Sequence, residues 1–245
     1  MLTRLCRLAL EVKYLGPARE FYESRLGLVP AFESDTEVAY EAGETTLVLR
    51  RPTAVPRGGL HTHYAFSTTR EAYDGWVERL SELEPVEFSF GSSRSMYVYD
   101  PDGNCVEIGG TESAGRPDED GASPDGTEPL TGIFEVVLEV SDLADATERY
   151  RSLGFEVVDE GEDRRRVRLS GPVDLELWEP QLGIADARGG VHVDLTFAAD
   201  DARSAVEAGG PWAEGPDEVD GGLRVREADG HVLTFTEVQG ECPEA

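Results

Sequence analysis

The chain has 245 residues, of which 39% are hydrophobic and 29% charged, a profile of one large or two ordinary globular domains rather than of a disordered or fibrous protein. Fifty Asp and Glu face 22 Lys and Arg, a net charge of −28, so a phosphate backbone would be repelled and a nucleic-acid partner is disfavoured. No apolar run approaches the roughly 20 residues of a membrane span, and Met1 to Leu10 lacks the long apolar core of a signal peptide, so the chain reads as cytoplasmic.

In chain order, the first elements are a strand over 4–12, a helix over 16–26 and strands near 28–33, 37–42 and 45–51. In the helix, Phe21, Tyr22 and Leu26 share a face and Gly27 suits a C-terminal cap. A second unit follows: strand 61–67, helix 70–82, and strands near 86–90, 94–99 and 104–109. Thr111 to Pro129 (TESAGRPDEDGASPDGTEP) has no aliphatic side chain larger than alanine and reads as a linker. Beyond it the pattern repeats, with strand 132–140, helix 142–152 capped by Asp142 and Gly154, three strands to about 179, strand 190–197, helix 199–208, and strands near 222–227 and 231–237. The expected domains are therefore 1–110 and 130–240, joined by 111–129. Lys13 is the single lysine, and acid excess without lysine resembles the proteins of salt-in halophiles, in which high salt screens self-repulsion.

The segments LEVKYLGPAREFYESRLGL, THYAF and YDPDGNCVEIGG, in that order and spacing, resemble the vicinal oxygen chelate superfamily, which includes glyoxalase I, extradiol dioxygenases, fosfomycin-resistance thiol transferases and bleomycin-binding proteins. The resemblance implies an α+β fold of tandem βαβββ modules, four modules in two domains, each pair curled into a funnel around a small ligand. It also implies a divalent metal (Fe, Mn, Zn or Ni) held by side chains from neighbouring first and last strands, with open positions for substrate oxygens.

Strand alternation selects the inward residues. Tyr64 and Phe66 pack, leaving His61 and His63 on the opposite face. Val106 and Ile108 pack, leaving Cys105 and Glu107. Leu8, Leu10 and Val12 pack, leaving Arg7, Ala9 and Glu11. Matched to the family motif, the N-terminal trio is Arg7, His63 and Glu107. An arginine offers no lone pair to a metal, so three arrangements stay open: His61 or Glu11 completes a metal site, Arg7 pairs with Glu107 and no metal binds, or Arg7 anchors a substrate anion beside the metal. The C-terminal trio falls on Glu135, Asp194 and Thr234, with His192 on the same face. Because Thr234 replaces a carboxylate, this half reads more readily as a degenerate duplicate than as a metal site.

Tyr97, three residues before Asp100 of the DPDG turn, matches a substrate-facing tyrosine of the fosfomycin-resistance proteins. Cys105 reads as a buried, inert thiol and His231, after an Asp-Gly turn, as a surface residue. The resemblance thus implies a metal-dependent enzyme on a small oxygenated substrate, of the lyase or dioxygenase kind, with His63 and Glu107 as ligands and Arg7 and Tyr97 touching substrate. The alternative is a metal-free sequestering protein of the bleomycin-resistance type. A homodimer is compatible with either.

Overall fold

The computed structural model describes residues 1–52, 62–91, 93–111, 128–163, 165–179, 193–219 and 221–237. Four βαβββ modules follow one another. The first comprises β1 (Leu2–Glu11), α1 (Leu15–Arg19, continued by a π-helical turn over Glu20–Arg25), β2 (Pro30–Glu33), β3 (Glu37–Ala42) and β4 (Thr45–Arg50). The second comprises β5 (Thr62–Thr69), α2 (Tyr73–Arg79), β6 (Val86–Phe90), β7 (Ser93–Tyr99) and β8 (Cys105–Thr111). Across the linker lie β9 (Gly132–Glu139), α3 (Leu143–Ser152), β10 (Glu156–Glu160), β11 (Arg166–Ser170) and β12 (Asp174–Trp178). Then come β13 (Asp194–Ala199), α4 (Ala202–Gly209), β14 (Glu214–Val219), β15 (Gly222–Arg226) and β16 (Val232–Thr236).

These strands form two eight-stranded mixed sheets, and each sheet takes one module from either side of the linker. One has the order β14-β15-β16-β13-β1-β4-β3-β2, the other β10-β11-β12-β9-β5-β8-β7-β6. The seams are antiparallel pairs of first strands: β1 with β13, placing Ala9 opposite Asp194, and β5 with β9, placing Ala65 opposite Glu135. Modules two and three therefore share one concave face, and modules one and four the other.

Local chemistry accounts for the elements. Asp142 accepts hydrogen bonds from the Ala144 and Asp145 amides and caps α3, and Asp201 caps α4 through the Ser204 amide. Gly27 and Gly154 leave their helices at φ 72° and 103°, the left-handed conformation that glycine adopts without a Cβ clash. The packed faces are those that the alternation selects: Leu8, Leu10, Val12, Tyr64, Phe66, Val106, Ile108, Val136, Leu138, Val193, Leu195 and Phe197 all join one buried core. β14 is the strand that the sequence hides: EGPDEV carries acids and a Gly-Pro pair instead of an apolar alternation. It is tolerated because it is an edge strand, where proline costs no central ladder bond.

Buried polar links tie the modules together. The Tyr22 hydroxyl, from the first module, hydrogen-bonds Tyr64 and donates to Asp100, both from the second. Asp100 also accepts from the Asn104 amide and side chain, so the DPDG turn is a core anchor as well as a turn. His231 is fully buried, not a surface residue as the Asp-Gly turn suggested: its ring Nε2 lies 2.9 Å from the Glu139 carbonyl, and burial lowers its pKa. Among the described residues no helix is long and apolar enough to cross a membrane.

Candidate metal centre

On the sheet of modules two and three, residues of seven strands line a cavity of about 1200 Å³. β5 contributes His63, β8 contributes Glu107 and β9 contributes Glu135. Their donor atoms all lie within 4.8 Å of one another, and all three residues are buried. Sheet register brings them together: β5 is central, with His63 beside Cys105 of β8 on one side and Ala65 opposite Glu135 of β9 on the other. His63 Nε2 and Glu107 Oε2 are 3.0 Å apart.

Glu135 sits in an uncomfortable place for an anion. Burial, then the charges of Glu176 and Glu107, push its carboxyl up to about 8, although Arg168 opposes the shift from 2.9 Å. Its Oε2 accepts no well-aligned hydrogen bond among the described residues. Glu176, from β12, lines the same cavity and is held by the Trp178 indole N–H at 2.8 Å and by Arg166 at 3.3 Å. The Tyr97 phenol hydrogen-bonds Glu107. Burial and the charges of Glu107 and Glu135 raise its pKa, so it remains a donor at neutral pH. The Cys105 thiol is pushed up to about 12, first by burial and then by Glu107 and Asp100, and is inert as the sequence suggested.

A bulge in β9 shapes one wall. Between Glu135 and Ile133 the ladder shifts register, so that Ile133, Phe134 and Glu135 all line the cavity. Phe134 lies against Gly109 of β8, where a Cβ would stand 2.9 Å from the ring and force it to shift.

The second sheet offers a like face without the donors. By register, Arg7 occupies the place of His63, Val48 that of Glu107, Asp194 that of Glu135 and Thr234 that of Glu176. Arg50 reaches in from β4, 2.8 Å from Asp194 and 3.8 Å from Glu11, and Arg224 stands 3.9 Å from Asp194. An arginine thus supplies the cation on this face.

Several sequence expectations are regrouped. The expected N-terminal trio is divided: His63 and Glu107 share a sheet, while Arg7 lies on the other, with Glu37 its ion-pair partner at 3.7 Å. No Arg7–Glu107 pair forms, because β1 joins β13 and not β5 or β8. Glu135 and Asp194 are likewise separated, and Arg224 stands on the face of Asp194. Tyr97 is at the centre, its ring 5.6 Å from that of His63. His61 and His192 lie outside the described residues. Glu176, Arg168 and Trp178 were not singled out, although the alternation of DLELW, with Leu175 and Leu177 packed, carries Glu176 and Trp178 inward.

No family model matches the chain. It is 25% identical over 115 residues, 44% of the chain and 81% of the relative, to metallothiol transferase FosB of Staphylococcus epidermidis. A Bacillus subtilis structure assigned as a dioxygenase superposes over 98% of this chain and 86% of its own, with a TM-score of 0.75 at 14% identity. The fold is that of the vicinal oxygen chelate proteins. Glyoxalase I of Zea mays superposes over 96% of this chain and 92% of its own, with a TM-score of 0.65 at 17% identity. At these identities the structural likeness establishes the tandem βαβββ architecture, and the chemistry must be argued from the site.

Proposed function

We propose that the chain is a metal-dependent enzyme acting on a small oxygenated substrate, of the lyase or dioxygenase kind, with its reaction centre at His63, Glu107 and Glu135. The observation that carries this reading is the convergence of one imidazole and two carboxylates, from three adjacent strands, within 4.8 Å. The donor set fits a divalent transition metal: imidazole with carboxylate oxygens suits Fe, Mn, Zn or Ni. The raised pKa of Glu135 fits as well, because crowded carboxylates are the environment that a bound cation relieves. The name of the Staphylococcus relative, a metallothiol transferase, points the same way.

A bound divalent ion would act as a Lewis acid, polarising substrate oxygens. The chain's own groups do the rest. Tyr97 keeps its proton and orients Glu107 through a hydrogen bond, so it can also donate to a substrate oxygen nearby. Arg168 holds Glu135 and Asp174, each at 2.9 Å, and partly offsets the burial that keeps Glu135 protonated below about pH 8 until a cation takes the proton's place. Glu176, held by Trp178 and Arg166, is a candidate fourth donor or proton acceptor at the cavity wall. Arg7 lies on the other face, so a role for it would concern a second ligand and not this centre.

The test is metal content after purification in high salt without chelator. Near-stoichiometric Fe, Mn, Zn or Ni, one ion per chain, is expected in the wild type and in Asp194→Asn, and is expected to be lost in His63→Ala and in Glu107→Ala. A wild type that takes up no ion even from an excess would overturn the reading and leave the metal-free binding protein in its place.

A further inference from the structure

Four edge strands occupy equivalent places in the four modules, and one differs in character. β2 reads PAFE, β10 EVVDE and β14 EGPDEV, whereas β6 reads VEFSF. With period two, Val86, Phe88 and Phe90 of β6 share one face, and all three line the cavity of the donor triad. They are 54%, 53% and 58% exposed, and Tyr99 on the neighbouring strand is 61% exposed and lines the same cavity. A wall of large apolar side chains held open to water is costly, more so on a chain of net charge −28 that otherwise presents acids.

The wall is continuous with the reaction centre. The Phe88 ring lies edge-on to Tyr97 at 5.6 Å, Tyr97 edge-on to His63 at 5.6 Å, and His63 edge-on to Trp178 at 6.3 Å. An aromatic path thus runs from the rim to the donors. Three of the lining arginines are paired with acids: Arg166 with Asp159 at 2.6 Å and with Glu176, Arg168 with Glu135 and Asp174, and Arg94 with Asp74 at 2.6 Å and Glu87 at 3.0 Å. Meanwhile Glu44, Glu162 and Asp163 add carboxylates to the lining. Away from the donor triad, an anionic ligand would meet these carboxylates along the wall, where Arg94, Arg166 and Arg168 are already engaged by acids.

We infer that the substrate is a neutral molecule with a flat aromatic body, which lies along Val86, Phe88 and Phe90 with its oxygen-bearing end at His63, Glu107 and Glu135. The inference deepens the proposed function and rests on its placement of the reaction centre. A ligand held by charge pairing along the wall would instead require free cations there. β6 is the specificity element, since the three corresponding strands of the same scaffold lack its aromatic face.

The test is calorimetric titration with 2,3-dihydroxynaphthalene and with methylphosphonate, on metal-loaded and on chelator-treated protein. The wild type is expected to bind the naphthalenediol and not methylphosphonate. Phe88→Ser/Phe90→Ser, at exposed positions that the fold does not need, is expected to weaken naphthalenediol binding at least 10-fold. Phe32→Ser, on the corresponding edge strand of the other sheet, is expected to leave it unchanged. Wall-dependent binding that survives chelation would uphold the aromatic site even if the chain took up no metal. Metal uptake without naphthalenediol binding, or equal binding by the double variant, would overturn the aromatic site and leave the metal centre standing. A change in the double variant's oligomeric mass with unchanged probe affinity would assign the wall to a second copy of the chain, and would also overturn it.

Discussion

Replacing Glu135 with glutamine separates stability from function at the proposed metal centre. In the folded chain the Glu135 carboxyl is pushed up to about 8, mainly by burial and then by Glu176 and Glu107. In the unfolded chain it returns to the ordinary value near 4.5. The sign follows from proton counts. Between these values the folded state holds a proton that the unfolded state has released, so stability falls as pH rises through the window and levels off above pH 8. At about 1.4 kcal/mol per pKa unit, the upper limit of the cost is under about 1 kcal/mol at pH 5, about 3 kcal/mol at pH 7 and about 5 kcal/mol above pH 8. Glu135→Gln removes this cost and leaves Arg168 paired with Asp174, so no buried guanidinium is orphaned. The metal-free variant should therefore match wild type near pH 5 and become more stable by a few kcal/mol at pH 8.5, in urea unfolding at constant high KCl, while taking up little or no metal. Parallel stability curves from pH 5 to 9 would refute the reasoning, because they would show that Glu135 ionises freely in the folded chain.

Three further outcomes are expected. Metal affinity of the wild type should rise with pH up to about 8, with proton release on binding, because Glu135 must deprotonate to become a ligand; pH-independent uptake in competition with a fluorescent chelator would count against it. Arg50→Met should destabilise the chain by about 3 kcal/mol or more, since Asp194, nearly fully buried, loses its 2.8 Å partner; a chevron or equilibrium melt within about 0.5 kcal/mol of wild type would show the pair to be dispensable. Gly109→Ala should cost about 1–3 kcal/mol by driving a Cβ to 2.9 Å from Phe134, and Gly109→Ala/Phe134→Leu should recover most of it; no recovery in the double variant would place the strain elsewhere.

Much of this molecule is written locally in its residues. Alternation alone assigns Leu8, Leu10, Tyr64, Phe66, Val106 and Ile108 to the core, and therefore turns His63 and Glu107 to the concave face. Asp142, Gly27 and Gly154 mark helix ends through short-range hydrogen bonding and φ preference. β14 escaped such reading because its residues carry neither alternation nor β propensity, and the ladder with β15 supplies its conformation. The inward direction of Glu176 was legible in DLELW, but nothing local marked it as a neighbour of Glu135.

The partnership of modules was decided only by tertiary structure. The four modules repeat one pattern, so each first strand carries much the same edge for pairing, and no short-range signal says whether β5 joins β1 or β9. In the folded chain β5 joins β9 across the linker and β1 joins β13. That choice brings Glu135 to His63 and Glu107, and it sends Arg7 to the face where Arg50 holds Asp194. A metal site depends on the distance between donor atoms in space, and residues 72 positions apart, such as His63 and Glu135, acquire that distance only when the sheet closes.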